Sequence, residues 1–133
     1  MEMQEIKKMS FKEKDKLLRY VFREYQKAKM IVDGYEAKNY YPILSALTLK
    51  EGGSPYQLEK DLLQNLEKKE NSQKMIDSID YVLNTMEERS KELIIKEFYE
   101  KDTSNWWMEY YSRSTYYRLK NKAMQEILYY LLQ

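Results

Sequence analysis

The residues with the clearest binding chemistry lie in positions 112–125, near the end of the chain. This stretch has four basic residues and no acidic one, whereas the whole chain of 133 residues is balanced, with 23 basic and 22 acidic residues. On a helical wheel, one face of the stretch carries Arg113, Ser114, Thr115, Tyr117, Arg118, Asn121 and Lys122. Arginine binds guanine edges and phosphate, asparagine pairs with adenine, and hydroxyl groups bind phosphate or either type of base. The pattern predicts that this face contacts double-stranded DNA.

The other face of the same stretch is apolar, which predicts a helix that runs to about Leu132. Its apolar residues recur at spacings of three and four, as expected for the buried side of a helix. They are Tyr116, Leu119, Ala123, Ile127 and either Tyr130 or Leu131. The four bases of the stretch are Arg113, Arg118, Lys120 and Lys122, and Lys120 is not among the residues of the predicted DNA-binding face.

A second, shorter helix is predicted just before this one, in the segment "SNWWMEYY". Ser104 is placed to cap it, and Ser112 or Ser114 is placed to cap the helix that follows. Two helices with a tight connection and a basic face on the second are typical of a helix-turn-helix motif, here at about residues 104–132. Glycine often occupies the turn of such motifs, so Tyr110 or Tyr111 is expected to adopt the strained turn conformation, or the turn differs in geometry.

The chain has no histidine and no cysteine, which removes many kinds of catalytic and metal site. Thiolate nucleophiles, disulfides, Cys/His zinc sites and imidazole bases are all excluded. The acidic residues are spread among lysines and form no tight cluster in the sequence. We therefore expect no catalytic residue, no metal site and no cofactor, and a protein that is not an enzyme.

The elements that must position the basic face are predicted to be all α-helical, since the chain has only three glycines and two prolines. Ser10 and Glu13 form a capping box for a long first helix. Its apolar face is expected to contain Leu17, Leu18, Val21, Phe22, Tyr25, Ala28, Ile31, Val32 and Tyr35. Pro42 and the pair Gly52-Gly53 interrupt the helical pattern. We therefore predict an N-terminal helical arm and connector in residues 1–53 and a helical DNA-binding domain in residues 54–133.

The domain is predicted to begin with Ser54 as a cap and Pro55 in the first turn of a helix. The leucines Leu58, Leu62, Leu63 and Leu66 are expected to form its buried face. The pair Asn71-Ser72 is expected to end this helix and to cap the next one. A further helix, marked by Leu93, Ile94 and Phe98, is expected to end near Asp102.

The cellular location is predicted from two absences in the sequence. No apolar run approaches the roughly 20 residues that span a bilayer, and the N-terminus lacks the apolar region of a signal peptide. We expect a protein of the cytoplasm, or of the host bacterial cytoplasm if a phage encodes it, without a membrane partner.

The C-terminal half resembles a known family, the ArpU-type regulators of phage late genes, which have a helix-turn-helix like that of sigma-factor region 4. The likeness lies in the segment "RSKELI" (residues 89–94), in Tyr99 and above all in "YYSRSTYYRLKNKAM" (residues 110–124). The resemblance implies a transcriptional regulator that activates packaging, morphogenesis or lysis genes. It places Ser112, Ser114 and Thr115 at the start of the recognition helix, Tyr116 at its buried anchor, Tyr117 and Arg118 on its exposed turn, and Ala123 at a close-packing position.

Two other functions stay open from the sequence. The chain can be a helical interaction protein that binds RNA polymerase or a sigma factor without reading DNA, which suits its 14 tyrosines. It can also be a phage DNA-packaging subunit, which would form a ring. The arm is expected to contact polymerase or to form a homodimer in which Phe22, Tyr25, Ile31 and Val32 bury against a second copy.

Overall fold

The fold is all α-helical, as the sequence predicts. The computed structural model of the chain describes residues 1–37, 55–100 and 105–133, and these ranges contain helices and turns without a strand. The helices are α1 (Met3–Lys8), α2 (Phe11–Ala37), α3 (Pro55–Thr85), α4 (Glu88–Ile94) and α5 (Arg113–Leu131). A π-helical turn (Ile95–Tyr99) follows α4, and a 3₁₀ turn (Trp106–Glu109) precedes α5. Within the described ranges, no helix has both the length and the apolar character needed to cross a membrane.

The start of α2 confirms the predicted capping box. The backbone amide of Glu13 donates to Ser10 Oγ at 3.1 Å, and the amide of Ser10 donates to Glu13 Oε2 at 3.4 Å. Two otherwise unpaired amides at the helix end are thus satisfied. The sequence interpretation missed α1, whose Ile6 is fully buried.

The predicted break at Asn71-Ser72 is wrong, because α3 is continuous through both residues. The segment from Pro55 to Thr85 has no glycine and no further proline. Serine and asparagine inside a helix cost only a fraction of a kcal/mol each relative to alanine, about 0.5. Ser72 is itself buried rather than placed at a helix end.

One compact unit comprises residues 1–24 and 78–133. In its core the rings of Phe22 and Phe98 stack with their centroids 6.2 Å apart. The first part of α2 therefore belongs to the same unit as α4 and α5. The predicted division near residue 53 lies outside the described residues and stays a prediction, as do the caps at Ser54 and Ser104 and the helix end near Asp102.

The other compact unit comprises residues 25–77. Tyr25, Ala28 and Val32 of α2 and Ile76 of α3 are buried. The expectation that leucines of α3 form a buried face is wrong for those whose side chains are described: Leu62, Leu63 and Leu66 are 46%, 60% and 39% exposed.

Three of the four residues of the predicted homodimer face are already buried within a single chain, and the fourth, Ile31, is half-buried. Phe22, Tyr25 and Val32 retain at most 6% of their accessible surface in a single chain. Side chains that the chain already covers have almost no apolar surface left for a second copy to bury.

Candidate functional site

The helix α5 begins where the sequence predicts, and Ser112 is its cap. Ser112 Oγ accepts a hydrogen bond from the backbone amide of Thr115 at 3.3 Å and donates one to Thr115 Oγ1 at 2.9 Å. Ser114 is the second residue of the helix and is exposed. The sequence left open whether Ser112 or Ser114 caps α5, and the structure shows that Ser112 does.

The connection into α5 uses no left-handed residue at Tyr110. Its φ is −111°, an ordinary value for a bulky residue. The amides of Tyr110 and Tyr111 both donate to the carbonyl oxygen of Trp107, each at 2.9 Å. The predicted support helix is therefore a single 3₁₀ turn, and this tight turn provides the change of direction without strain at Tyr110.

The candidate DNA-binding residues lie together at the surface of α5. Arg113, Ser114, Tyr117, Arg118 and Lys122 are exposed, whereas Thr115 and Asn121 are half-buried. The Arg113 guanidinium lies 5.9 Å from the centroid of the Tyr117 ring, and that ring meets the edge of Phe11 at 5.7 Å. The structure thus brings the seven residues onto one helix, and their contact with DNA stays a prediction.

Lys120 is the one base of residues 112–125 that is buried, with 6% of its surface exposed. Its Nζ lies 2.8 Å from Asp15 Oδ1 and 3.5 Å from Glu97 Oε2. The same atom lies 5.3 Å and 5.5 Å from the ring centroids of Phe11 and Phe98. Its charge is neutralised inside the unit, so the exposed cations of this helix start are Arg113, Arg118 and Lys122.

Tyr116 is buried, as the sequence predicts for the anchor of α5. Its ring stacks on Trp107 with the centroids 4.4 Å apart, and its hydroxyl donates to Glu97 Oε1. Trp106 Nε1 donates to the same oxygen at 2.6 Å. Burial, and then the hydrogen bond to the Glu97 carboxylate, raise the pKa of the Tyr116 phenol far above its ordinary value. Glu97 therefore fixes the 3₁₀ turn and α5 against each other.

Two consecutive residues of α2 fix the same helix from another side. Lys14, 2% exposed, donates from Nζ to Asn121 Oδ1 at 2.5 Å. Burial lowers the pKa of the Lys14 ammonium. Burial alone would raise the pKa of Asp15, but its hydrogen bonds to Arg19 and Lys120, together with their charges, lower it below the ordinary 3.8.

The sequence interpretation did not find the roles of Lys14, Asp15 and Glu97. A signal for Lys14 was present, because it precedes the buried Leu18 and Phe22 at a spacing of four residues and so lies on the buried face of α2. The partners of Lys14 and Asp15 on α5 are more than 100 positions away in the sequence, and those of Glu97 are about 20 away on a different helix, so nothing local identifies them.

A groove of about 490 Å³ lies between α4 and the 3₁₀ turn. Its lining consists of Glu88, Arg89, Glu92, Leu93, Lys96, Trp106, Tyr110 and Tyr111. Lys96 Nζ lies 5.1 Å from the ring centroid of Trp106 and 5.8 Å from that of Tyr110. The groove is thus aromatic on one side and carries both signs of charge.

In the part of the chain that the structure describes, no group of three or more acidic side chains is placed to hold a metal ion.

Comparisons of the chain with protein-family models, with curated proteins and with solved structures gave no match.

Proposed function

We propose that the chain is a sequence-specific DNA-binding regulator of transcription that uses the exposed face of α5. The observation that carries this proposal is the division of α5 into two sides. One side presents Arg113, Arg118 and Lys122 to solvent. The other is held by Tyr116 and Lys120, through their contacts with Glu97 and Asp15. A cationic face on a helix with a fixed position is what reading of a DNA groove requires.

The beginning of α5 also suits a backbone phosphate. Its first turn contains no acidic residue, although acidic side chains commonly compensate the positive end of a helix dipole. Arg113 and Ser114 occupy this turn and are exposed. Basic and hydroxyl side chains beside the amides of a helix start are suited to bind an anion such as phosphate.

The resemblance to ArpU-type regulators supports a more specific role. We propose that the protein activates phage late genes for packaging, morphogenesis or lysis and acts in the cytoplasm of the host bacterium, as a binding protein without catalysis. The motif "YYSRSTYYRLKNKAM" carries this part of the proposal.

The proposal is tested by binding to DNA fragments tiled across the protein's own genome. We expect wild type to prefer one or a few fragments, and Arg118→Ala to lose that preference while it keeps its helical content. Arg23→Ala is the matched control, because Arg23 is an exposed arginine on α2. If the folded wild type binds all fragments equally, or binds none at low salt, sequence-specific reading is excluded.

The groove between α4 and the 3₁₀ turn favours a second candidate function, contact with RNA polymerase or a sigma factor. Tyr110 is 66% exposed beside it, and Trp106 forms part of its wall. Tyrosine, tryptophan and arginine are enriched in the parts of protein interfaces that dominate affinity. Binding of purified polymerase by wild type but not by Tyr110→Ala, with DNA binding absent in both, would favour this candidate over the first.

A further inference from the structure

Asn121 is the only one of the seven candidate DNA-binding residues with a described side-chain hydrogen bond from another helix. The donor is the Lys14 ammonium of α2, and the acceptor is Asn121 Oδ1, at 2.5 Å. Lys14 is 2% exposed and is therefore held in this position by the surrounding packing. Asn121 is half-buried and lies three residues after Arg118 and one before Lys122, both of which are exposed.

The chemistry of the two groups fixes which end of the amide faces Lys14. An ammonium group has three donors and no acceptor, so it hydrogen-bonds the oxygen of an asparagine amide and not its nitrogen. The Asn121 oxygen has two lone pairs, and one of them accepts from a buried ammonium, so this atom faces the interior of the unit rather than a DNA groove. The part of this amide that is left for DNA is the Nδ2 group, which has only donors.

This orientation of the amide changes the base that Asn121 suits. The bidentate pairing of asparagine with adenine needs the amide oxygen to accept from N6 and the amide nitrogen to donate to N7. Guanine presents two acceptors in the major groove, N7 and O6, and needs donors alone. An asparagine whose oxygen is held towards the protein interior and whose nitrogen remains for the groove therefore suits guanine better than adenine.

We propose that Lys14 is a specificity-determining residue, which directs Asn121 to a guanine in the DNA site by holding the oxygen of its amide towards the protein interior. The inference rests on the proposed function and deepens it. It also replaces the sequence expectation that this asparagine reads adenine. Lys14 itself touches no base in this arrangement, and it acts through Asn121.

The test is selection of binding sites from a randomised duplex library at one fixed salt concentration. Comparison of wild type with Asn121→Ala identifies the position of the site that depends on Asn121, and we expect guanine there. Lys14→Met removes the donor and keeps a long side chain that suits a buried site. We expect it to raise the preference for adenine over guanine at that position about tenfold, the size of one good base contact.

Two further variants separate this effect from others. Lys14→Met combined with Asn121→Ala should show no gain for adenine, because the freed oxygen is absent. Lys16→Met is the matched control: it removes the same charge from an exposed position two residues further along α2, and should leave the base preference unchanged.

The possible results separate the inference from the proposed function. The inference is overturned by adenine at the Asn121-dependent position of wild type, by the absence of any such position, or by an unchanged preference in folded Lys14→Met. If Lys14→Met does not fold, the inference is decided by the base that wild type selects at the position identified with Asn121→Ala: guanine supports it and adenine overturns it. A folded wild type that selects no sequence overturns the proposed function, and the inference with it.

Discussion

The Lys120 ammonium lies 2.8 Å from the Asp15 carboxylate and joins the middle of α5 to the beginning of α2. The basic stretch of α5 therefore has two kinds of lysine. Lys120 stabilises the position of the helix from within the unit, whereas Lys122 is exposed. Substitution of Lys120 should lower the stability of the fold, whereas substitution of Lys122 should change only the binding of DNA by α5.

Asp15→Ala should destabilise the protein by about 2–3 kcal/mol, since it leaves the buried Lys120 charge poorly compensated; this is less than for a fully buried pair because the Asp15 side chain is 22% exposed. Lys120 would retain only the longer contact with Glu97, at 3.5 Å. Chemical denaturation measures the change. Asp33→Ala is the matched control on the exposed side of α2 and should change stability by less than about 0.5 kcal/mol. Equal effects of the two substitutions would contradict the structural role of Asp15.

The raised pKa of Tyr116 predicts a loss of stability at alkaline pH. Above its ordinary pKa of 10.0, this tyrosine loses its proton in the unfolded chain but keeps it in the folded one. The unfolded state then binds fewer protons, so the free energy of unfolding falls as pH rises. Tyr116→Phe lacks this contribution, and its stability relative to wild type should therefore increase between pH 9 and about 11. A constant difference between the two proteins across this range would show that the phenol is not buried as described.

Two leucines of α3 should respond very differently to truncation. Leu63 is 60% exposed and Leu83 is 7% exposed. Leu83→Ala should cost about 2–5 kcal/mol because it leaves a cavity in the core, whereas Leu63→Ala should change stability by less than about 0.5 kcal/mol. Thermal or denaturant unfolding of both variants checks this. A large loss of stability for Leu63→Ala would show that Leu63 is buried, as the sequence predicts, and would contradict its exposed position in the structure.

The two serines at the start of α5 should separate stability from binding. Ser112→Ala removes the cap and should cost about 1 kcal/mol. Ser114→Ala removes an exposed hydroxyl that makes no cap; it should leave stability unchanged and weaken DNA binding. Unfolding curves and binding titrations on both variants make the comparison. If Ser114→Ala is the more destabilising change, the assignment of the cap is wrong.

Local signals in the sequence predicted much of the fold. The pair of Ser10 and Glu13 marked the start of α2, Ser112 marked the start of α5, and the apolar spacing identified Tyr116 and Ala123 as buried. These features depend on residues a few positions apart, which is why a pattern with the period of a helix reveals them.

The errors came from features that only tertiary structure decides. The leucines of residues 62–66 have the spacing of a buried face, yet burial depends on what packs against a helix and not on its own pattern. Lys120 received no role from the sequence, since nothing near it there indicates Asp15 or Glu97 as partners. The polar contacts that position the candidate site could not be predicted for the same reason.

The most direct test of the account is the salt dependence of DNA binding. Affinity for a preferred fragment is measured across a series of salt concentrations for wild type, Lys122→Ala and the control Arg23→Ala. Each phosphate contact contributes about 0.9 to the slope of log affinity against log salt concentration. The account predicts a steep slope for wild type and for the control, and a slope lower by about 1 for Lys122→Ala. A folded wild type whose affinity does not change with salt, or equal slopes for all three proteins, would contradict the claim that this face of α5 binds DNA.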